Sequence, residues 1–266
     1  RGNGEGVMTK VDAILNLHRE GEMLLPSFRS IQRNLKVLDR QGVEAGLIVV
    51  LDCPDPSTRQ LIEKLQEDME FDSTEIEVSD LSRSRNHAVN RSTAEFISFL
   101  DGDDLWCDDW LLRCYKFSNF EDARSILHPS WNVVFGTKRM LYPHPDQNER
   151  TFDLAGLRST NYWTALSFAR RKIYLDHPYR PNQLEEGLGY EDWSWNYETI
   201  ENGYVHRTVP ETTHFIRYKT SASLRDQTNA SACLRTPIPR STTGSTSPVN
   251  AEQTTAASDQ LKAKLE

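Results

Sequence analysis

Cysteine is scarce, cationic excess is absent and long apolar runs do not occur, and each shortage removes a class of protein. The four cysteines among 266 residues, Cys53, Cys107, Cys114 and Cys233, have no zinc-type spacing and suggest no disulfide framework. A reducing, cytoplasmic setting is therefore expected. Lysine and arginine number 31 against 39 aspartates and glutamates, a formal net charge of −8, which argues against a general nucleic-acid binder because that class presents a basic surface. No apolar stretch approaches the roughly 18 residues that would span a bilayer, and no signal-peptide pattern opens the sequence. Any work at the inner face of a membrane would be peripheral. The first residue is Arg1 and the last pair Leu265-Glu266, which suggests a piece of a longer, multidomain chain.

What is present fits a globular domain: 37% hydrophobic and 26% charged residues, with some low-complexity sequence added. Residues 1–10 are Gly-rich and polar and read as a linker. Val11 to Leu17 reads as a buried strand, followed by an apolar helix face of Leu24, Phe28, Ile31, Leu35 and Leu38 that stops near Gly42. Leu47 to Leu51 is a second strand. Ser57 and Gln60 have capping-box spacing ahead of a helix carrying Leu61, Leu65 and Met69. A weaker strand at Ile76 to Val78 leads to a helix at Leu81 to Asn90, and Trp131 to Phe135 and Ala165 to Ala169 read as further strands. Strands alternating with helices imply a Rossmann-like α/β domain over 11–226, with a mostly parallel central sheet and helices on both faces. Residues 138–162 read as a long loop, and 227–266, rich in Ser and Thr, as a flexible tail.

Phe96-Ile97-Ser98-Phe99-Leu100 ends abruptly in Asp101-Gly102-Asp103-Asp104. In such a sheet, ligands bind at the carboxyl ends of strands. Asp101 and Asp103, two apart, place their carboxylates on one side of extended chain, and Gly102 between them leaves room for a bulky anion. Hard oxygen ligands of this kind suit Mg²⁺ or Mn²⁺. The same acids equally fit a turn ahead of a helix starting near Asp108.

Taken in order, these segments resemble family 2 glycosyltransferases of the GT-A fold, of the bacterial surface-polysaccharide type, over roughly residues 11–225. Phe99 to Asp104 resembles the family's FLDxDD block with its DxD metal motif, Arg85-Asn86 the end of its ARN helix, and Glu191-Asp192-Trp193 its ED motif. Two segments depart from the pattern. Asn16-Leu17-His18-Arg19 stands where Pro-x-Tyr-Asn is usual, and Ile216-Arg217-Tyr218-Lys219-Thr220-Ser221 stands for YRxHxxS, with Lys219 in place of a histidine.

The resemblance implies a metal-dependent, inverting hexosyltransferase using Mn²⁺ or Mg²⁺. The donor would be a UDP-, dTDP- or GDP-sugar, and the acceptor a glycan or lipid-linked glycan in O-antigen or capsular polysaccharide synthesis. On it, Leu17, His18, Glu20 and Asp52 would contact the nucleoside, while Arg85, Asp101, Gly102 and Lys219 would hold the rest of the donor. Asp103 and Asp101 would bind the metal, with His214 or His206 as a replacement ligand. Asp192 would be the catalytic base, Glu191 its neighbour orienting the acceptor, and Tyr190, Trp193, Trp195 and Trp163 would offer ring faces to acceptor sugar. Glu191-Asp192 also fits a helix N-terminal acid pair, and those aromatics also fit a core. A catalytically silent GT-A module that binds glycan or a partner enzyme is the alternative. A sugar nucleotidyltransferase would need a Gly-rich basic loop that 11–25 lacks.

Overall fold

The computed structural model describes residues 10–219 and the backbone of Cys233–Leu234. Strand β1 (Val11–Leu17) is buried at every position, which a strand tolerates only inside a sheet covered on both faces. Helix α1 (Leu24–Asp39) lays Leu24, Phe28, Ile31 and Leu38 on that sheet; β2 (Ala45–Asp52) follows. Helix α2 (Pro56–Asp68) is capped by Asp55, whose carboxylate accepts from the Thr58 N–H at 2.9 Å, and not by the expected Ser57–Gln60 box. Proline at the first helical position favours this start.

Strand β3 lies at Asp72–Ile76, upstream of the expected 76–78. The reason is local: the N–H groups of Val78 and Ser79 turn to the Asp52 carboxylate and so leave the ladder. Helix α3 (Leu81–Arg91) is capped by Asp80, and β4 (Phe96–Asp101) ends in the acidic turn. A two-residue strand β5 (Leu105–Trp106) precedes α4 (Trp110–Ser118). Asp108, the expected start of that helix, pairs with Arg33 at 2.6 Å.

The remaining elements are β6 (Ser125–Gly136), β7 (Met140–Pro143), β8 (Phe168–Arg170), α5 (Arg171–Asp176), β9 (Leu188–Gly189), α6 (Glu191–Glu201) and β10 (Val205–Tyr218). The sheet order is β3-β2-β1-β4-β8-β6-β10-β5, with β7 bonded to β6. Its first four strands are parallel, as are β6 and β10. Three-residue β8 joins the halves by running antiparallel to both β4 and β6. A strand β11 (Cys233–Leu234), inside the segment expected as a tail, pairs in parallel with β9. Two apolar layers flank the sheet, one with Phe28, Ile62 and Trp110 from α1, α2 and α4, the other with Val89, Ile173 and Trp195 from α3, α5 and α6. Helices therefore cover both faces, as expected. Among the described residues no helix is long and apolar enough to cross a membrane.

Under β6 and β10 lies an unusual core layer of imidazoles. His128, His206 and His214 are fully buried and His144 nearly so. His128 Nε2 meets His206 Nδ1 at 2.8 Å, His206 Nε2 meets Thr199 Oγ1 at 2.9 Å, and His144 Nδ1 meets the Pro129 carbonyl at 3.0 Å. Burial pushes His144 and His206 down to about 3 and holds His128 and His214 well below the ordinary imidazole value. The folded state keeps them neutral, whereas the unfolded chain protonates them below about 6.5, so the stability they carry is intact above 6.5 and lost as pH falls toward 3. His144→Asn isolates one of them. The variant is less stable than wild type at pH 7, and the gap narrows by up to about 1.4 kcal/mol per pH unit below 6.5, read by denaturant titration at several pH values. A gap independent of pH would mean that His144 is not neutral in the fold.

Candidate active site

The ends of β1, β2 and β4 are level, Leu17 opposite Leu51 and Asn16 opposite Asp101, so the loops that follow them share one rim. Asp101 to Asp104 form a tight turn closed by the Asp104 N–H on the Asp101 carbonyl at 3.1 Å. A Cβ on Gly102 would fall 2.5 Å from Leu17 Cδ2 and 3.1 Å from the Asn16 carbonyl. The space that the missing side chain leaves is taken by the first loop. Ser27 Oγ donates to the Gly102 carbonyl at 3.0 Å, which ties the turn to α1.

Behind the turn sits Arg85, 1% exposed. Its Nη2 donates to Asp101 Oδ1 at 3.1 Å and Oδ2 at 3.3 Å, and its Nη1 to Glu191 Oε1 at 2.9 Å. Burial works against this charge, but the carboxylates of Asp101 and Glu191 outweigh it and raise the guanidinium above its ordinary value. The second oxygen of Glu191 accepts from Asn182 Nδ2 at 3.1 Å. Glu191 is thus pinned by both oxygens. Burial and the neighbouring Asp103 charge push Asp101 up, with Arg85 opposing.

Asp192, the next residue, is held differently. Its Oδ2 accepts from Asn161 Nδ2 at 3.1 Å and its Oδ1 from the Trp193 N–H at 2.7 Å. Burial, then the adjacent Glu191 charge, pushes its carboxyl up to about 7. Tyr190, whose φ of 58° is left-handed, turns the chain into α6 and packs edge-on against Trp193 at 5.5 Å between ring centroids. Asn161 comes from the 138–162 segment expected as a loop, and no sequence signal singled it out.

On the other side of the turn, Lys219 Nζ reaches Asp103 Oδ2 at 2.7 Å. Partial burial opposes the ammonium charge, but Asp103 raises it. Arg217 Nε donates to the Asp103 carbonyl at 3.1 Å, and the Arg217 N–H to Asp104 Oδ1 at 2.7 Å. Glu20, raised by its burial and by Asp103, accepts from the His18 N–H at 2.6 Å, and His18 Nδ1 touches the Asp52 carbonyl. Both oxygens of Asp52 accept backbone N–H groups, Oδ1 from Val78 and Ser79 and Oδ2 from Asp80, each at 2.9 Å. Its carboxylate orders the turn into α3.

This arrangement has relatives. A family model, Glycosyl transferase family 2, matches residues 13–177, which carry β1 through β8 and the acidic turn. The chain belongs to glycosyl transferase family 2. It is 34% identical over 85 residues to the succinoglycan biosynthesis protein ExoM of Rhizobium meliloti (strain 1021), covering 31% of this chain and 28% of that one. To the putative teichuronic acid biosynthesis glycosyltransferase TuaG of Bacillus subtilis (strain 168) it is 33% identical over 84 residues, covering 30% and 33%. The chain thus spans about a third or less of the curated relatives it matches. In fold it resembles S. aureus TarS 1-349 in complex with UDP-GlcNAc, with a TM-score of 0.64 at 14% identity, covering 85% of this chain and 62% of that one.

Against the family 2 pattern, four expected site residues are elsewhere. Trp163 is 1% exposed, stacked on His206 at 4.3 Å and on His128 at 5.4 Å, with Nε1 donating to the Pro145 carbonyl at 2.8 Å. It is a core ring and not an acceptor platform. Trp195, 3% exposed, stacks on Tyr174 and Tyr179 in the second apolar layer. His214 is fully buried and packs edge-on against Trp110 with ring centroids 4.7 Å apart, so it faces α4 and is no metal ligand; His206 belongs to the same imidazole layer. Trp193 follows Asp192 in the first turn of α6, its Nε1 donating to the Leu157 carbonyl at 2.7 Å. Among the described residues no group of three His, Cys, Asp or Glu side chains is set to hold a metal ion.

Proposed function

We propose that the chain is an inverting glycosyltransferase that moves a sugar from a nucleoside diphosphate donor to a hydroxyl of a glycan or lipid-linked glycan, as in the assembly of a surface polysaccharide. The observation that carries this reading is the contrast between adjacent carboxyls: Glu191 is pinned by both oxygens, to buried Arg85 and to Asn182, while Asp192 accepts only from Asn161 and the Trp193 N–H, and its burial beside Glu191 raises it toward neutral pH. A base works best with a pKa near the operating pH. Asp192 takes the proton of the acceptor hydroxyl as its oxygen bonds to the anomeric carbon. The bond from that carbon to the diphosphate oxygen breaks, and the diphosphate leaves with the electron pair. Attack from the face opposite the leaving group inverts the configuration.

Asp101 and Asp103 would hold a Mg²⁺ or Mn²⁺ ion. Their hard oxygens fit such an ion, which one or two carboxylates suffice to hold beside a substrate phosphate. When bound, that ion supplies charge stabilisation to the departing diphosphate. Lys219 and Arg217 add fixed positive charge beside Asp103. The nucleoside would lie against the Leu17–Glu20 loop and the turn into α3; Asp52 braces that turn with both carboxylate oxygens, in place of the direct contact expected of it. A UDP-sugar is the first donor to try, because the similar TarS structure carries UDP-GlcNAc. Trp193 and Tyr190 flank the acceptor side.

Release of nucleoside diphosphate from UDP-, dTDP- and GDP-sugars, with Mn²⁺ and with EDTA, tests the reading. Metal-dependent release with one donor is expected; none with any donor favours the silent binding module. Asp103→Ala removes one carboxylate and frees Lys219. Donor affinity measured by calorimetry with Mn²⁺ falls by roughly tenfold or more, the worth of one charge-assisted contact of about 1.5–3 kcal/mol. Equal affinity in variant and wild type would remove Asp103 from the donor site.

A further inference from the structure

Among the described residues seven large apolar side chains are exposed, and three of them, Trp131, Met140 and Leu141, belong to the β6–β7 hairpin. Strand β7 lies off the main strand path, paired to β6. Leu141 sits opposite Val133, and Trp131, two residues from Val133, shares their face. The row continues inward through Phe215 on β10 to Leu105 on β5, all partly exposed. The turn of the hairpin carries exposed Lys138 and Arg139, with the Lys138 ammonium 4.2 Å from the Tyr218 ring centroid. A cationic tip on a chain of net charge −8 is a local feature. Clustered exposed apolar groups mark a surface that something covers.

We propose that this hairpin docks onto an anionic lipid bilayer, with Trp131 and Leu141 entering the interface and Lys138 and Arg139 meeting lipid phosphates; Met140, opposite Val134, lies on the other face. Charge decides the occupant. Basic and apolar side chains together supply the two signals that stable peripheral binding needs, and indole rings favour the boundary between headgroups and acyl chains. A second copy docking through the same hairpin would bring its own Lys138 and Arg139 into one interface with these, and residues 125–143 hold no acid to pair them. The hairpin also adjoins the candidate active site. Thr137 donates to the Tyr218 carbonyl through its N–H and Oγ1, both at 3.1 Å, and the next residue, Lys219, holds Asp103. Docking would bring the acidic turn near the membrane surface. That last consequence, access to a lipid-borne acceptor, rests on the proposed function; the docking itself does not.

Flotation of the full chain with vesicles of phosphatidylcholine, alone and with about one third phosphatidylglycerol, tests docking without donor or acceptor. Binding to the anionic vesicles only, weakening as salt shortens the screening length, is expected. The pair Lys138→Ala/Arg139→Ala and the pair Trp131→Ser/Leu141→Ser should each lower partitioning by roughly tenfold or more, with unchanged melting temperatures showing that the fold is kept. Absence of binding, equal binding to neutral vesicles, or unchanged partitioning in both pairs would overturn the proposal. So would a dimer in sedimentation that Leu141→Ser dissociates, since a second copy would then be the occupant. Nucleoside diphosphate release, measured in parallel, separates failure of docking from failure of the glycosyltransferase reading.

Discussion

Asp192→Asn lowers glycosyl transfer by roughly 10²–10⁴-fold, the usual share of a general base, while leaving donor affinity within about twofold because the change conserves size. The two hydrogen bonds that Asp192 accepts come from Asn161 and the Trp193 N–H, so the amide stays in place even where one donor must shift. In wild type the rate should follow the unprotonated fraction of a carboxyl near 7: kcat/KM rises with pH, tenfold per unit below about 7, and levels off above it. Asp192→Asn should flatten this limb as well as lower it. Glu191→Gln is the informative control. Its amide oxygen can still accept from Arg85, and Arg85 keeps Asp101, so a smaller loss is expected. Single-turnover transfer with saturating donor gives both numbers. Near-normal transfer by Asp192→Asn, or a larger loss in Glu191→Gln, would move the base away from Asp192.

How far the sequence foretold this arrangement depends on the kind of signal each residue leaves. Strands β1, β2 and β4 are mostly apolar because both faces are covered, and such runs are legible without a structure. The acidic turn was legible because three acids and a glycine follow an apolar run at once. Trp163, Trp195 and His214 were not, since an aromatic or imidazole side chain has the same letter whether it lines a cleft or fills a core. The fourteen-residue β10, with a register shift between Val209 and Thr213, offered no clean alternation. The histidines it buries, His206 and His214, could therefore be read either as structural or as replacement ligands, and the sequence held nothing to decide between the two. Asp52 shows a subtler limit: its position at a strand end was visible, but its three backbone partners lie 26–28 residues away. Arg85 was expected beside the donor. Its second contact, to Glu191 across 106 residues of sequence, is what joins the two ends of the site.

That double contact makes Arg85 the residue whose loss should cost most in stability. Arg85→Met keeps the length and apolar stem but leaves Asp101 and Glu191 facing each other without a cation. Removing one partner of a buried pair costs about 3–5 kcal/mol, which for a domain of this size lowers the melting temperature by about 6–20 °C. The carboxylates would respond by taking up protons, so the deficit should be greatest at high pH and shrink as the buffer is made acidic. Glu191→Gln in the Arg85→Met background removes one of the stranded charges and should recover part of the loss, although each change alone is destabilising. Such coupling between contacting sites is what a double-mutant cycle measures. A cycle of Arg85→Met and Glu191→Gln with additive effects, or a melting temperature within about 2 °C of wild type in Arg85→Met, would mean that the guanidinium does not hold the two carboxylates together. Arg85→Lys should fall between, since one ammonium cannot reproduce the two-armed grip on Asp101 and Glu191.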